Sequence, residues 1–342
     1  MKVCYLNRPG LGTIDPDKGL GGAQLLSFNE ARELAKDRSF DVHMIVEGSN
    51  WDRITRDRLT IWIMPKAKAI AELFNTYKIL KQINADVYLE RALNKPQRIY
   101  DPLICKLLRK KYIYAEVSDP EFVRRFSWIN QLTYKALLTF ADKIVANSGH
   151  IARKLRTWTS RKINTILVST MVTRKVRTDR KYILWVGRID PYKRPELFLE
   201  LAKRFPQEKF LMIVSGQLKT VFPSNVEILY NVAHDKMDAH YASAKILIHT
   251  SIAEGFGNVF LEAWKNKTPI VSLTVDPDDV LKRHKIGFYS QNFEQMIKDV
   301  KTLLADKKTW NEFSKNGYEY VLNHHNMKAT IEVYKQLFLQ FR

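Results

Sequence analysis

The chain has 342 residues, 45% hydrophobic and 27% charged, with a formal charge of +20. That length holds two domains with a core each, and a composition free of low-complexity runs excludes intrinsic disorder. Two cysteines, Cys4 and Cys105, exclude a disulfide framework and point to a reducing compartment, the cytoplasm.

MKVCYLNRPG opens the chain with a short apolar run that Arg8 and Pro9 end, so it reads as a first strand rather than a signal peptide. A helical pattern follows from Gly22 to about Lys36. VHMIVE (42–47), LTIWIM (59–64), DVYLE (86–90), KYIYAEV (111–117) and KIVAN (143–147) read as buried strands, with helical patterns at 67–83 and 128–141. MVTRKVRTDRK (171–181) is polar and without period, and reads as a linker. The alternation then restarts: YILWVG (182–187), helix 195–204, FLMIVSG (210–216), VEILY (226–230), helix 235–243, KILIHTS (245–251), helix 258–266, PIVSL (269–273). Helices finish the chain, the last over roughly 327–340. Such alternation predicts two doubly wound parallel sheets and a cleft between them, with ligands beyond the carboxyl ends of strands.

Three loops in those places carry candidate chemistry. In RPGLGTIDPDKGLGGAQLL (8–26), Gly19, Gly21 and Gly22 lead into a helix, where bare backbone N–H groups can approach an anion. Simple turn glycines fit the same residues. In WVGRIDPYKRPE (185–196), Arg188 and Lys193 stand at a strand end, placed to clamp a diphosphate. A basic surface turn also fits. In HTSIAEGFGNVFLEAW (249–264), a strand gives way through AEGFG to a helix for which Asn258 suits the N-cap. The amides of Gly255, Phe256, Gly257, Asn258 and Val259 then form an anion pocket. Glu254 lies before it in the loop and Glu262 one turn into the helix. Carboxylates accept from sugar hydroxyls, which suits a donor laid between them. A first-turn dipole role for Glu262 and a solvated Glu254 are the plainer alternatives.

Taken together, GLGGAQ, GRIDPYK and EGFGNVFLE resemble, in order, the motifs of the retaining GT-B glycosyltransferases of family 4, the glycosyl transferases group 1. ADKIVANSGHIARKL (141–155) resembles the stretch closing that family's first domain, so the likeness runs through the whole chain. It implies an acceptor domain at 1–172, a nucleotide-sugar donor domain at 173–325, and a helix at 326–342 crossing back onto the first domain. It implies that Arg188 and Lys193 bind the donor diphosphate and that Glu262 holds its ribose. Glu254 and the Gly255–Val259 backbone would take the transferred sugar and phosphate. Gly21 and Gly22 would approach the β-phosphate, and the loop at Val232 would receive the base. The donor would be a UDP- or GDP-sugar, the transfer hexosyl and metal-independent, with no cofactor.

Two departures stand out. Family members carry a histidine in a first-domain loop; here YIYAEVSDPEF (112–122) has none, and Glu116 or Asp119 would replace it, Asp119 being better placed in the loop. The family's G-G-x-x-E is replaced by TVDPDDV (274–280), which could be mistaken for a metal-binding D-x-D, a reading disfavoured because the resemblance implies metal-independent transfer and Asp276 and Asp278 flank a proline turn. His284, His324 and His325 show no metal spacing, and most of the seven tryptophans are expected in packing.

The acceptor side is read from PEFVRRFSWINQLTYKALLTF (120–140) and ICKLLRKKY (104–112), which mix Phe122, Phe126, Trp128 and Ile129 with Arg124 and Arg125. Amphipathic helices facing the core fit these residues. An anionic membrane surface fits them too, with a glycan or lipid-linked glycan as acceptor in surface polysaccharide or glycoconjugate synthesis. The charge excess, +12 over residues 1–170 and +8 over 171–342, favours anionic partners in general. A nucleic-acid-binding protein has no supporting motif. An inactive scaffold is opposed by the presence of both cations and both glutamates, and a sugar-nucleotide epimerase is a further enzyme reading.

Overall fold

The computed structural model describes residues 1–8, 10–13, 22–92, 99–120, 127–172, 179–217 and 221–342. They form two compact units, residues 1–169 with 327–342 and residues 170–326.

The first unit runs β1 (Lys2–Leu6), α1 (Gly22–Ala35), β2 (Asp41–Gly48), β3 (Asp52–Arg56), β4 (Leu59–Pro65), α2 (Ala69–Ile83) and β5 (Val87–Ala92). It continues with α3 (Tyr100–Leu107), β6 (Lys111–Glu116), α4 (Trp128–Phe140), β7 (Lys143–Ala146), α5 (Gly149–Leu155) and β8 (Ile163–Thr165). The strands form one sheet in the order β3-β4-β2-β1-β5-β6-β7-β8. Every pairing is parallel except β3 with β4. β1 and β2 are buried over nearly their whole length, as strands covered on both faces must be. The antiparallel edge strand was not expected. Its sequence, DRITR, is exposed at nearly every position, so it has no apolar period. Its two-residue turn also lacks the usual Asn-Gly signal: Asp57 and Arg58 themselves adopt φ of 47° and 67°. Arg58 donates to the Ala35 carbonyl at 3.0 Å, and Arg32 pairs with Asp57 at 2.8 Å, which hold the turn against α1.

The second unit runs β9 (Tyr182–Arg188), α6 (Pro195–Lys203), β10 (Phe210–Ser215), β11 (Val226–Tyr230), α7 (His234–Ala242), β12 (Ala244–His249) and α8 (Asn258–Lys265). Then come β13 (Ile270–Ser272), α9 (Val280–His284), β14 (Gly287–Tyr289), α10 (Phe293–Ala305) and α11 (Lys307–His324). Its sheet is wholly parallel, in the order β11-β10-β9-β12-β13-β14. After β9 the chain steps outward to β10 and β11, then returns to lay β12 on the other side. The carboxyl ends of β9 and β12 therefore meet at a topological switch point, where open α/β sheets form their ligand crevice.

The last helix, α12 (Met327–Leu339), belongs to the first unit and packs on α1. Its Tyr334 hydroxyl lies 3.3 Å from the Arg91 guanidinium, which is buried and paired with Glu30 of α1.

Candidate functional site

The β9–β12 switch point determines which side chains meet. β9 ends on Arg188, and a short 3-10 turn, Pro191–Lys193, brings Lys193 back toward the end of β12. The two loops are joined by buried bonds. Trp185 Nε1 donates to Thr250 Oγ1 at 2.9 Å, and Thr250 Oγ1 donates to the Lys193 carbonyl at 2.6 Å. Arg194, at φ 50°, donates through Nε to the Thr250 carbonyl and through Nη2 to Thr274 Oγ1, both at 2.6 Å. Arg194 therefore ties three strand-end loops together.

Within this frame Lys193 Nζ and His249 Nε2 both face Oε1 of Glu254, the histidine at 3.2 Å. Lys193 and Glu254 are 61 positions apart in sequence and make a mostly buried ion pair. Burial alone would raise the Glu254 carboxyl. Lys193 and His249 outweigh it and bring the group down to about 2, so it is ionised at any physiological pH. His249 is itself buried, which lowers its pKa against the pull of Glu254. Its Nδ1 lies 3.2 Å from Ser272 Oγ, whose proton goes to the Val275 carbonyl at 2.6 Å. The ionised Glu254 can only accept, so the single proton of the neutral ring sits on Nε2 and is donated to Glu254, leaving Nδ1 unprotonated beside the Ser272 hydroxyl. The ring also packs edge-on against Phe260, with centroids 4.6 Å apart. His249 was missed as a site residue because it ends an apolar strand, where the sequence shows only one polar letter in a buried run.

Arg188 is 66% exposed at its side chain. It donates to the Tyr192 hydroxyl at 2.9 Å and lies 3.1 Å from Asp190. Its pKa is raised, first by the Tyr192 hydrogen bond, with Asp190 and Glu254 also contributing. The field of Glu254 thus reaches both cations.

The start of α8 differs from expectation in one respect. Gly257, not Asn258, is the N-cap, and Asn258 is the first helical residue. Gly257 adopts φ +94°, a conformation glycine takes without cost, and this turns the chain into the helix without a side-chain cap. Phe260 N–H donates to the Gly257 carbonyl at 2.9 Å, while the two N–H groups before it at the start of α8 have no carbonyl one turn back within the helix, and the dipole adds partial positive charge there. The Phe256 ring is buried 4.7 Å from that of His325, so at this position only the backbone is left to meet a ligand. Asn258 and Glu262, four residues apart, share one half-buried face of α8 with Val259 beside them. Tyr241 lies next to Glu262; burial first, then Glu262, pushes its hydroxyl pKa well up. α8 is anchored by Trp264, whose Nε1 donates to the Ile286 carbonyl at 2.9 Å. A Cβ on Gly317 of α11 would stand 2.5 Å from that indole, so this close approach needs glycine. Val232 sits just beyond β11, also at a strand's carboxyl end.

Other expected residues lie in the first unit. Gly22 is the first residue of α1, while Gly21 lies outside the described residues. Asp119 is buried and paired with Lys154 of α5. Glu116 is fully buried and accepts from the hydroxyls of Tyr114 (2.9 Å), Tyr134 (2.7 Å) and Ser118 (2.9 Å) and from two backbone amides. Burial raises its pKa against those bonds. Glu116 holds a strand end and two tyrosines together. In the second unit, Asp276 accepts from the Leu281 amide at 2.9 Å, which caps the turn into α9.

The second unit's span and motifs now have a counterpart among known proteins. Residues 171–320 match the family model of the glycosyl transferases group 1. A curated relative, an uncharacterized glycosyltransferase of Methanocaldococcus jannaschii, is 22% identical over 78% of this chain and 75% of its own. Among solved structures, sucrose-phosphate synthase from Thermosynechococcus elongatus superposes over 99% of this chain and 98% of its own, with TM-score 0.83 and 17% identity. HepE of Anabaena, solved with UDP and glucose, covers 99% of this chain and 100% of its own, with TM-score 0.78 and 15% identity. At these identities the likeness establishes the fold: two parallel-sheet Rossmann-like units, the GT-B architecture of those glycosyltransferases.

Proposed function

We propose that the protein is a retaining glycosyltransferase that moves a hexose from a nucleoside diphosphate sugar, a UDP- or GDP-sugar, to an acceptor hydroxyl. The observation that carries this reading is the buried Lys193–Glu254–His249 cluster. It lies where GRIDPYK and EGFGNVFLE meet at the sheet's switch point, inside the segment matching the group 1 model. HepE, bound to UDP and glucose, supports a uridine donor.

The donor phosphates would lie on the α8 amides, with Arg188 and Lys193 supplying the positive charge. Glu262 would accept from the ribose diol, Glu254 from hydroxyls of the transferred sugar, and the Val232 backbone would meet the base. Gly21 and Gly22 are proposed to approach the β-phosphate. In the step itself the anomeric C1–O bond to the β-phosphate breaks and its electron pair leaves with the nucleoside diphosphate. The acceptor oxygen bonds C1 on the face just vacated, and the acceptor proton passes to the departing phosphate oxygen. The developing phosphate charge is met by cations and amides already in place, so this reading uses neither a metal nor a cofactor. Glu254 stays ionised throughout and is no proton shuttle. Its charge also stabilises the oxocarbenium character of the sugar.

Asp119 is proposed to act together with Lys154 near the transferred sugar. The acceptor is proposed to be a glycan or lipid-linked glycan in polysaccharide or glycoconjugate synthesis. Cys4 and Cys105 are buried free thiols, which supports a reducing, cytoplasmic setting. Screening UDP-, GDP- and ADP-sugars by thermal stabilisation identifies the donor, and nucleoside diphosphate release then measures turnover. Release unchanged in both Arg188→Ala and Glu254→Ala would sink the assignment.

A further inference from the structure

Helices α2, α3, α4 and α5 cover one face of the first unit's sheet. Ile79 and Leu80 of α2, Cys105 of α3 and Leu137 of α4 share a single core cluster with Tyr88 and Tyr112 of the strands beneath. The helices are also tied sideways. The Tyr100 hydroxyl donates to Glu72 at 2.5 Å, joining α3 to α2, and Lys106 Nζ lies 5.0 Å from the Phe140 ring centroid, joining α3 to α4.

Away from that core, the three helices repeat one pattern. Each places two large apolar side chains one turn apart in solvent: Ile70 and Phe74 on α2, Leu103 and Leu107 on α3, Trp128 and Leu132 on α4. Phe74 is 67% exposed, Leu107 72% and Trp128 70%. A solvated helix carries polar residues at such positions, and large exposed apolar side chains recurring on three helices of one layer mark an interaction site.

The exposed charges on these helices are predominantly basic. α4 has no acid, α3 has only Asp101, buried against Arg8, and α2 has only Glu72, bonded to Tyr100. Lys78, Lys81, Lys106, Arg109 and Lys135 are exposed on or beside the same helices.

We propose that this face docks on an anionic lipid bilayer. The aromatic and aliphatic side chains enter the headgroup–acyl boundary, while the lysines meet lipid phosphates at its rim. This proposal is independent of the donor chemistry. It also shifts the membrane-facing residues expected from sequence. Phe122, Phe126, Arg124 and Arg125 lie outside the described residues, whereas Ile70 and Phe74 of α2, read from sequence only as part of a helix, join Trp128.

The test floats the full chain with vesicles of phosphatidylcholine alone and of phosphatidylcholine with phosphatidylglycerol, at low and at raised salt. Wild type is expected to float with the anionic vesicles at both salt levels. The triple variant Phe74→Asp, Leu107→Asp, Trp128→Asp is expected to lose at least tenfold in vesicle affinity while keeping its circular dichroism and its thermal stabilisation by UDP. Wild type that stays unbound, a triple variant that binds as well as wild type, or binding abolished by modest salt and untouched by the apolar substitutions overturns the proposal. So does light scattering that shows a dimer of this chain dispersed by the triple variant without vesicle binding, since a second copy would then cover the face.

Discussion

Glu254→Gln tests the central cluster most directly. The carboxyl ionises near 2 instead of the ordinary 4.5. At about 1.4 kcal/mol per tenfold in proton affinity, that difference stabilises the folded unit by about 3 kcal/mol. A carboxyl depressed by folding contributes fully above its unfolded value and loses that contribution as pH falls through the folded one. The stabilisation is therefore complete above about pH 5, roughly halved near pH 3, and lost as pH falls through about 2. Glutamine keeps the shape but removes the charge and leaves Lys193 mostly buried without its acid. The two units need not unfold together, so the readout has to be local. Hydrogen exchange of peptides from residues 182–272 in rising urea reports this unit alone. The expected loss is about 3 kcal/mol at pH 7, shrinking to about half at pH 3. Equal protection in wild type and Glu254→Gln at pH 7, or a gap that does not change with pH, refutes the electrostatic account. Turnover should fall at least about a hundredfold, while affinity for UDP alone changes little, because the carboxylate is assigned to the sugar and not to the phosphates.

Three further outcomes follow from the same geometry. Gly257→Ala has room for its Cβ, the nearest side-chain atoms being 3.7 Å away, but must hold φ +94°. It should cost about 1–2 kcal/mol and weaken donor binding, read by thermal denaturation with and without UDP. Arg194→Lys keeps the charge but loses the fork that reaches Thr250 and Thr274 at once. Exchange in residues 188–194 and 250–257 should rise and kcat/KM fall by about tenfold, whereas unchanged exchange would show that the loops do not depend on this tie. His249→Phe preserves packing against Phe260 but removes the contact to Glu254. It should lower kcat more than it raises donor KM and alter the acid limb of the kcat profile, and a pure KM effect would contradict the positioning role.

The sequence by itself determined the element types and their alternation. Runs such as VHMIVE and KILIHTS bury both faces, so they read as strands of parallel sheets whichever way the chain winds. It also determined that Glu254 lies in a loop and Glu262 on a helix, because the glycines and the apolar period change between them. It could not show DRITR as a strand, since an exposed edge strand carries no burial signal. It misplaced the cap by one residue, because Asn258 has the better side chain and only the backbone reveals that Gly257 has the positive φ. The tertiary structure alone decided the partners. Lys193, Glu254 and His249 meet because the chain turns back between β11 and β12 and sets the ends of β9 and β12 side by side, a strand order that local pattern does not encode. The same holds for Glu116, read as a possible replacement for the family's histidine and found buried and bonded to two tyrosine hydroxyls. Burial and pairing are properties of what packs against a residue, and those neighbours come from distant parts of the chain.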